Sequence, residues 1–349
     1  MLKKTHVINC ILILAACMLV LTSCGKEEES YTDTGMAAIE ELDYTGALEA
    51  FDSALEAGED ERLILRGQGM VYMAQLRYDE AIDAFIRALN LSTGVPEDLD
   101  YDINYYLAAA YYKSGRLPEA KEVYDSILAL RDDEYDAYYL RGIVLLESGD
   151  YESSIADFRK AISINNNDCD MIVDVYQVLA AQGYKEAGRE IISECIASKS
   201  DISDYDYGRF EYYLGNYDSA KTYLENADKG DSAQITLFLG RTYEALGDYN
   251  YAISLYNTYL DKNHNAPNIY NQMGLCQMKM ERYSEALSSF QAGMNTEDKS
   301  IMQTLKFNEV VAYEYMYEFR TAANLMKDYI ALYPDDAAAL REYEFLKTR

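Results

Sequence analysis

Residues 69–88 read GMVYMAQLRYDEAIDAFIRA, and the spacing of small and aromatic residues in this stretch decides the fold. Ala81 has a Tyr three residues before it, a Gly twelve before it and a Phe four after it. The spacing returns along the chain at steps of 34, 39, 34, 33, 33, 32, 34 and 36 residues. The nine anchor positions are Ala47, Ala81, Ala120, Ser154, Ala187, Ala220, Ala252, Ala286 and Ala322. Internal repetition of this period predicts a solenoid, in which each repeat packs against its neighbours.

Each repeat is predicted to contain two helices. Apolar residues recur at three- and four-residue spacing on both sides of short polar turns, such as KSGRLPEA at 113–120 and ALGDYNYA at 245–252. Small residues at the Gly and Ala positions allow two helices to approach closely, and the aromatic residues fill the space beside them. A Gly in the turn can adopt the left-handed conformation that ends a helix. The fifth repeat matches least well, since Val175, Ile191 and Glu194 stand where small or aromatic residues are usual, and its helix boundaries stay open.

These small, aromatic and alanine positions resemble the pattern of the tetratricopeptide repeat family over residues 31–334. The resemblance implies an all-α fold, a right-handed α-solenoid of about nine helix-turn-helix repeats at 35–334. Residues 335–349 are then expected to form a C-terminal capping helix. The segment STGVPEDLD at 92–100 accounts for the 39-residue step and is expected to be a longer loop.

The amino terminus carries a second signal. Lys3 and Lys4 precede an apolar run at 7–21, which is followed by the sequence LTSC at 21–24. A basic start, a short apolar core and a small residue before the cut are typical of a secretory signal, and a spanning helix usually needs about 20 apolar residues. The last four residues resemble the cleavage site of bacterial lipoproteins, which implies a signal peptide at 1–23 and lipidation of Cys24. The alternative is one uncleaved anchor helix.

Both interpretations place the repeats outside the cytoplasm, on a bacterial cell membrane or outer membrane. Residues 24–34 would then be a polar tether between the lipid and the first repeat. Two or more acyl chains anchor a protein stably, because each buried methylene contributes about 0.8 kcal/mol. The sequence does not distinguish the two membranes.

Composition argues against several classes of function. A formal net charge of −29 disfavours nucleic acid, which is bound through cationic contacts with phosphate. His6 and His264 are the two histidines, and His6 lies in the signal, so zinc sites built on two or three His are excluded. A Ser-His-Asp mechanism would need His264, in a polar segment between helices, to be brought to a nucleophile. Glycine-rich phosphate loops are absent from the sequence as well. A carboxylate pair among the 60 acidic residues stays open, although the repeat offers no enclosed cleft to perturb one. We expect no enzyme, no metal and no cofactor.

Three cysteines remain beyond the signal and Cys24. Cys169 and Cys195 are predicted at ends of the two helices of the fifth repeat that lie side by side, so a disulfide and separate buried thiols are both open. Cys276 stands alone in sequence. The chain has no CxxC pair and no Cys/His cluster that would indicate a metal site.

In the family that the chain resembles, the first helix of each repeat lines a concave groove. Arg209 and Arg241 take the same place in adjacent repeats, and Arg with aromatic residues is typical of binding hot spots. The alternative is that both arginines pair with nearby carboxylates and that the tyrosines serve as repeat aromatics. The family's Lys/Asn clamp for a terminal carboxylate is not expected, because Met36, Met70, Ala109 and Ile143 stand where one of its Asn residues would. Aligned on this family, the candidate groove residues are Tyr105, Tyr112, Tyr139, Tyr205, Arg209, Tyr212, Phe238 and Arg241.

Taken together, the sequence predicts a membrane-anchored scaffold that binds envelope or secreted proteins through this groove. A glycan- or solute-binding lipoprotein is the alternative, since the 35 tyrosines could stack on sugars. The lack of Trp and of a long insertion argues against it.

Overall fold

The computed structural model describes residues 30–227 and 232–349. The described part of the chain is all-α, with nineteen helices and no β-strand. It divides into two compact units, an N-terminal unit ending at Ile191 and a C-terminal unit beginning at Ile192. The predicted signal peptide at 1–23, Cys24 and most of the tether lie outside the described residues. Within those ranges, no helix has the length and apolar character needed to cross a membrane.

The helices come in chain-ordered pairs followed by a single last helix. The N-terminal unit contains α1 (Tyr31–Glu40), α2 (Tyr44–Ala57), α3 (Glu61–Ala74), α4 (Tyr78–Asn90), α5 (Asp98–Lys113), α6 (Leu117–Leu130), α7 (Tyr135–Glu147), α8 (Tyr151–Ile164) and α9 (Cys169–Ala181). Helix α10 (Lys185–Ser198) crosses the boundary between the units. The C-terminal unit contains α11 (Asp204–Leu214), α12 (Tyr217–Ala227), α13 (Ala233–Ala245), α14 (Tyr249–Leu260), α15 (Pro267–Lys279), α16 (Tyr283–Met294), α17 (Met302–Tyr315), α18 (Phe319–Leu332) and α19 (Ala337–Leu346).

The predicted fold class, a solenoid of about nine helix pairs with a last capping helix, is confirmed. In eight repeats the second helix begins three residues before the anchor, at the residue that the pattern singled out. Helix α19 packs against α18 and buries Ala339 and Leu346, which covers the apolar end of the stack. The long loop is shorter than predicted and spans 91–97, because Asp98 already begins α5.

An aromatic ring lying directly on a glycine sets the distance between the two helices of most repeats. A Cβ added to Gly142 would lie 2.7 Å from the Phe158 ring, which is closer than any real contact. The ring of each pair is fully buried, so the helices cannot separate to make room for a Cβ without exposing it. The pairs are Gly35 with Phe51, Gly69 with Phe85, Gly142 with Phe158, Gly240 with Tyr256 and Gly274 with Phe290.

The fifth repeat uses the same contact with the roles of its two helices exchanged. Tyr176 on the first helix α9 lies against Gly188 on the second helix α10, where a Cβ would be 2.8 Å from the ring. The anchor is therefore Gly188, one residue after the predicted Ala187, which is only half-buried. The predicted position was wrong by one residue because the repeat pattern places the glycine on the first helix and the ring on the second. The contact itself needs only one glycine and one ring, on either helix.

Each of the nine turns between paired helices contains one residue with positive φ. Gly occupies the position in five turns, which confirms its predicted role in ending the first helix. The other four turns place side chains there, at a cost of roughly 1–2 kcal/mol for a non-Gly residue. The nine residues are Leu42, Leu76, Gly115, Gly149, Gly183, Gly215, Gly247, Glu281 and Tyr317.

We predict that Gly69→Ala destabilises the second repeat by about 1–3 kcal/mol, because the new methyl group overlaps the Phe85 ring. Phe85→Leu should also destabilise it, by removing buried ring surface. The double variant should lose less than the sum, since Leu lacks Cε1 and Cζ, the two ring atoms of Phe85 that lie closest to the new methyl group. Hydrogen exchange of α3 and α4 measures all three losses. Strictly additive losses would show that the two side chains do not compete for this space.

Candidate functional site

The eight candidate groove residues all lie on first helices of their repeats. Three belong to the N-terminal unit and five to the C-terminal unit. The structure therefore presents two separate groups. They are Tyr105 and Tyr112 on α5 with Tyr139 on α7, and Tyr205, Arg209 and Tyr212 on α11 with Phe238 and Arg241 on α13.

The N-terminal group packs against the aromatic residues of its own repeats. The Tyr105 ring lies 6.2 Å from Tyr124, and the Tyr139 ring lies 5.9 Å from Phe158. The Tyr112 hydroxyl donates a 2.8 Å hydrogen bond to Glu147. Burial raises the pKa of Tyr105, and its hydroxyl has no hydrogen-bond partner within the described ranges. These three rings are half-buried packing elements of the third and fourth repeats.

The C-terminal group contains an aromatic cluster centred on Phe238. Ring centroids of Tyr205, Tyr212 and Tyr213 lie 6.1, 5.8 and 5.8 Å from Phe238, in edge-to-face arrangements. Tyr217 joins at 5.7 Å from Tyr212. We call these five residues the Phe238 cluster. All five are half-buried, so each ring is held by its neighbours and keeps part of its surface in solvent.

Sequence reasoning brought together three members of the Phe238 cluster and missed two. Tyr213 follows Tyr212 in α11 and reaches Phe238 because the first helices α11 and α13 are in contact. Tyr217 was assigned only as the aromatic residue that begins the second helix. The adjacent tyrosines at 212 and 213, at the end of the first helix, were the available signal for Tyr213.

Arg209 is a buried structural residue. Its side chain is 7% exposed, and Nη2 lies 2.6 Å from the Asp206 carboxylate one turn earlier in α11. The guanidinium carbon also lies 5.0 Å from the centre of the Tyr205 ring. Arg209 therefore pairs with a nearby carboxylate, which was the alternative to a role in partner binding. Its charge is compensated inside the fold.

Arg241 has a different environment and belongs to a hydrogen-bonded network. Its Nε donates to Oε1 of Gln272 at 3.2 Å, and Nε2 of Gln272 donates to Oε1 of Glu244 at 2.9 Å. Glu244 is 5% exposed and also accepts from the Tyr256 hydroxyl at 2.8 Å and from Lys279 Nζ at 3.1 Å. We call these five residues the Glu244 network. It holds the half-buried Arg241 side chain in place from one side.

The network has a cause that the sequence contains. Tyr256 occupies the ring position that Phe fills in four other repeats, and so carries a hydroxyl into the core. A buried hydroxyl needs a partner, and Glu244 supplies it. Burial, together with the Glu244 charge, raises the pKa of the neighbouring Cys276 thiol to about 12, which keeps it protonated at neutral pH. Tyr in place of Phe was the signal for this polar site.

The remaining chemical groups are dispersed. His264 is exposed between α14 and α15, and Cys169 and Cys195 are buried in the N-terminal and C-terminal units respectively. In the described ranges, no three His, Cys, Asp or Glu side chains are arranged to hold a metal ion. Several carboxyl groups that the sequence did not single out have a shifted pKa, among them Asp136 and Glu314, which are both raised. Burial, and then the charge of Glu342, raise the pKa of Glu314 to about 7.

Comparison with known proteins identifies the repeats. Two models of the tetratricopeptide repeat family match, one over residues 60–133 and one over 100–168 and 205–268. A segment of 124 residues is 27% identical to the protein CTR9 homolog of Arabidopsis thaliana. This match spans 36% of the present chain and 11% of the length of that protein.

Similar solved structures include two with low sequence identity to the chain. A tetratricopeptide repeat protein from Parabacteroides merdae is 16% identical with a TM-score of 0.46, over 82% of the present chain and 99% of that protein. MamA from Desulfovibrio magneticus, from residue 41 to its end, is 15% identical with a TM-score of 0.40. That alignment covers 51% of the present chain and all of the MamA chain.

We predict that protonation of Glu314 stabilises the C-terminal unit. Its folded pKa of about 7 lies above the ordinary value of 4.5, so this contribution is fully present below pH 4.5 and is lost as the pH rises through 7. Hydrogen exchange of α17, corrected for its chemical pH dependence, should show less protection above pH 7 than below it. Glu314→Gln should abolish that difference, whereas Glu342→Gln should keep most of it because burial is the larger cause. Equal pH dependence in wild type and Glu314→Gln would contradict the prediction.

Proposed function

Because the chain is a member of the tetratricopeptide repeat family, whose repeats serve as protein-binding scaffolds, we propose that it binds envelope or secreted proteins through the first-helix face of its repeats. A preformed surface of this kind binds at equilibrium and needs no chemical step. In this proposal the protein is a lipid-anchored, extracytoplasmic scaffold.

The observation that carries the binding role is the Phe238 cluster with Arg241 beside it. Aromatic and arginine side chains supply most of the binding energy at protein interfaces, with about 2 kcal/mol or more for each dominant residue. The rings are held by edge-to-face contacts, and Arg241 is held by Gln272. Binding therefore costs less conformational entropy than it would with mobile side chains.

The membrane role is supported by the amino-terminal sequence. The LTSC motif at 21–24 follows a basic start and a short apolar run, and Cys24 is followed by polar residues. A lipid on Cys24 would hold the first repeat close to the bilayer. The net charge of −29 opposes lying flat on anionic lipid, which favours an array that extends away from the surface.

A paired capture experiment tests the binding role. The site variant is Tyr212→Ala with Arg241→Glu, and the matched control is Tyr251→Ala with Arg320→Glu. The control removes the same groups from exposed positions on the second helices α14 and α18. We expect a protein from an envelope extract to be retained by wild type and control and lost by the site variant, because only that variant alters the Phe238 cluster and Arg241.

Circular dichroism must first show equal helicity for the three proteins. Equal capture by all three would contradict the assignment of the site to α11 and α13 while leaving the scaffold role. Capture by none would contradict the scaffold role. A glycan array would then test the solute-binding alternative, since exposed tyrosine rings can also stack on sugars.

Lipidation has its own test. In cells given a palmitate analogue, the wild-type protein should become labelled and lose residues 1–23, because Cys24 is the acceptor. Cys24→Ser should be unlabelled and uncleaved, and Cys17→Ser, which changes a cysteine of the apolar run, should behave as wild type. Membrane-bound wild type that is unlabelled and keeps its amino terminus would instead indicate an anchor helix.

A further inference from the structure

Arg241 differs from every other arginine in residues 30–227 and 232–349. Each of the others lies within 4.0 Å of a carboxylate or is exposed to solvent. Arg241 is half-buried, and no carboxylate in these ranges reaches it at ion-pair distance. Removing a charge from water without a direct counter-charge is unfavourable. A chain with 60 acidic residues had many ways to supply one.

The free edge of the Arg241 side chain is well defined. Its Nε is occupied by Gln272 at 3.2 Å, and Gln272 is itself held by the buried Glu244. Both terminal amino groups lack an acceptor in the described part of the chain. These two groups form the fork that binds both oxygens of a carboxylate through parallel hydrogen bonds.

The charge around this fork is locally positive. Two cations lie around the single carboxylate of Glu244. Lys279 forms a direct ion pair with it at 3.1 Å, whereas Arg241 is connected to it only through the Gln272 side chain. The Tyr212 ring lies 5.8 Å from Phe238, which stands one turn before Arg241 in α13. Burial raises the pKa of the Tyr212 hydroxyl; the charge of Arg241 lowers it, Tyr217 and Glu244 raise it, and Lys279 lowers it. The Lys279 side chain is 55% exposed, so its ammonium group is accessible from solvent.

We propose that Arg241, with Tyr212 and Lys279, forms a carboxylate-binding subsite that takes an Asp or Glu side chain from an acidic peptide segment of the partner. This proposal rests on the binding role proposed above and adds the chemistry of the ligand. Apolar residues next to that acid would lie on the exposed edges of the Phe238 cluster. The acidic remainder of the protein repels a polyanionic segment, which restricts the subsite to a peptide with one or two well-placed carboxylates.

The subsite is distinct from a clamp for a chain terminus. Its charge comes from one guanidinium group fixed by a neutral amide, with a partly exposed lysine beside it. The residues that hold it, Gln272 and Glu244, belong to the core network created by the Tyr256 hydroxyl. A side-chain carboxylate within an extended peptide can approach this open edge.

The test is a selection of peptides on the purified protein. A random peptide library displayed on phage is enriched on wild type, and the enriched sequences are made as acetylated peptides, each in an amidated and a free-acid form, for fluorescence polarisation. We expect an Asp or Glu next to apolar or aromatic residues. Exchange of that acid for its amide, or Arg241→Gln in the protein, should each weaken binding about ten- to a hundred-fold, and together no further. Arg320→Gln should leave affinity unchanged.

Three results would overturn the proposal in distinguishable ways. Enriched peptides without acids, or equal binding by wild type and Arg241→Gln, would remove the carboxylate subsite and leave the scaffold role. Binding only by peptides with a free carboxyl terminus would replace the side-chain ligand by a chain end. Failure to enrich any peptide over beads without protein would contradict both proposals.

Discussion

The contact of a buried aromatic ring with a glycine backbone is the constraint on which the rest of this structure depends. It fixes how closely the two helices of a repeat approach, because the ring occupies the space of the missing Cβ. In each repeat that has this contact, it therefore sets the distance of the first helix from the second. The fifth repeat keeps the contact while exchanging the ring and the glycine between its helices. The interaction is therefore retained even where the residue pattern changes.

One variation of this contact reaches the surface. In the seventh repeat the ring belongs to Tyr256, whose hydroxyl is buried and bonds to Glu244. A buried carboxylate is costly unless its oxygens are satisfied, and Tyr256, Gln272 and Lys279 together satisfy them. Gln272 then fixes Arg241. The hydroxyl oxygen of Tyr256 thus influences the orientation of Arg241 on the first-helix face, through Glu244 and Gln272.

Arg209 and Arg241 show how equal positions in adjacent repeats acquire different roles. One turn before Arg209 stands Asp206, which pairs with it and allows it to be buried. One turn before Arg241 stands Phe238, which offers no charge and becomes the centre of an aromatic cluster. The first arginine strengthens its own helix and the second keeps its terminal amino groups unused. The neighbouring residue, more than the repeat position, decides which arginine is available to a partner.

The sequence by itself determined the period, the nine helix pairs, the capping helix and the residue at which nearly every second helix begins. It could do so because these features depend on local spacing, which a repeat displays many times over. It also placed all candidate residues on first helices. Tertiary structure alone decided the register of the fifth repeat, the burial of Arg209, and the joining of Tyr213 and Tyr217 to Phe238. It likewise decided the chain of contacts from Tyr256 to Arg241. Those features depend on which side chains from separate helices meet, and a pattern along one chain does not contain that distance.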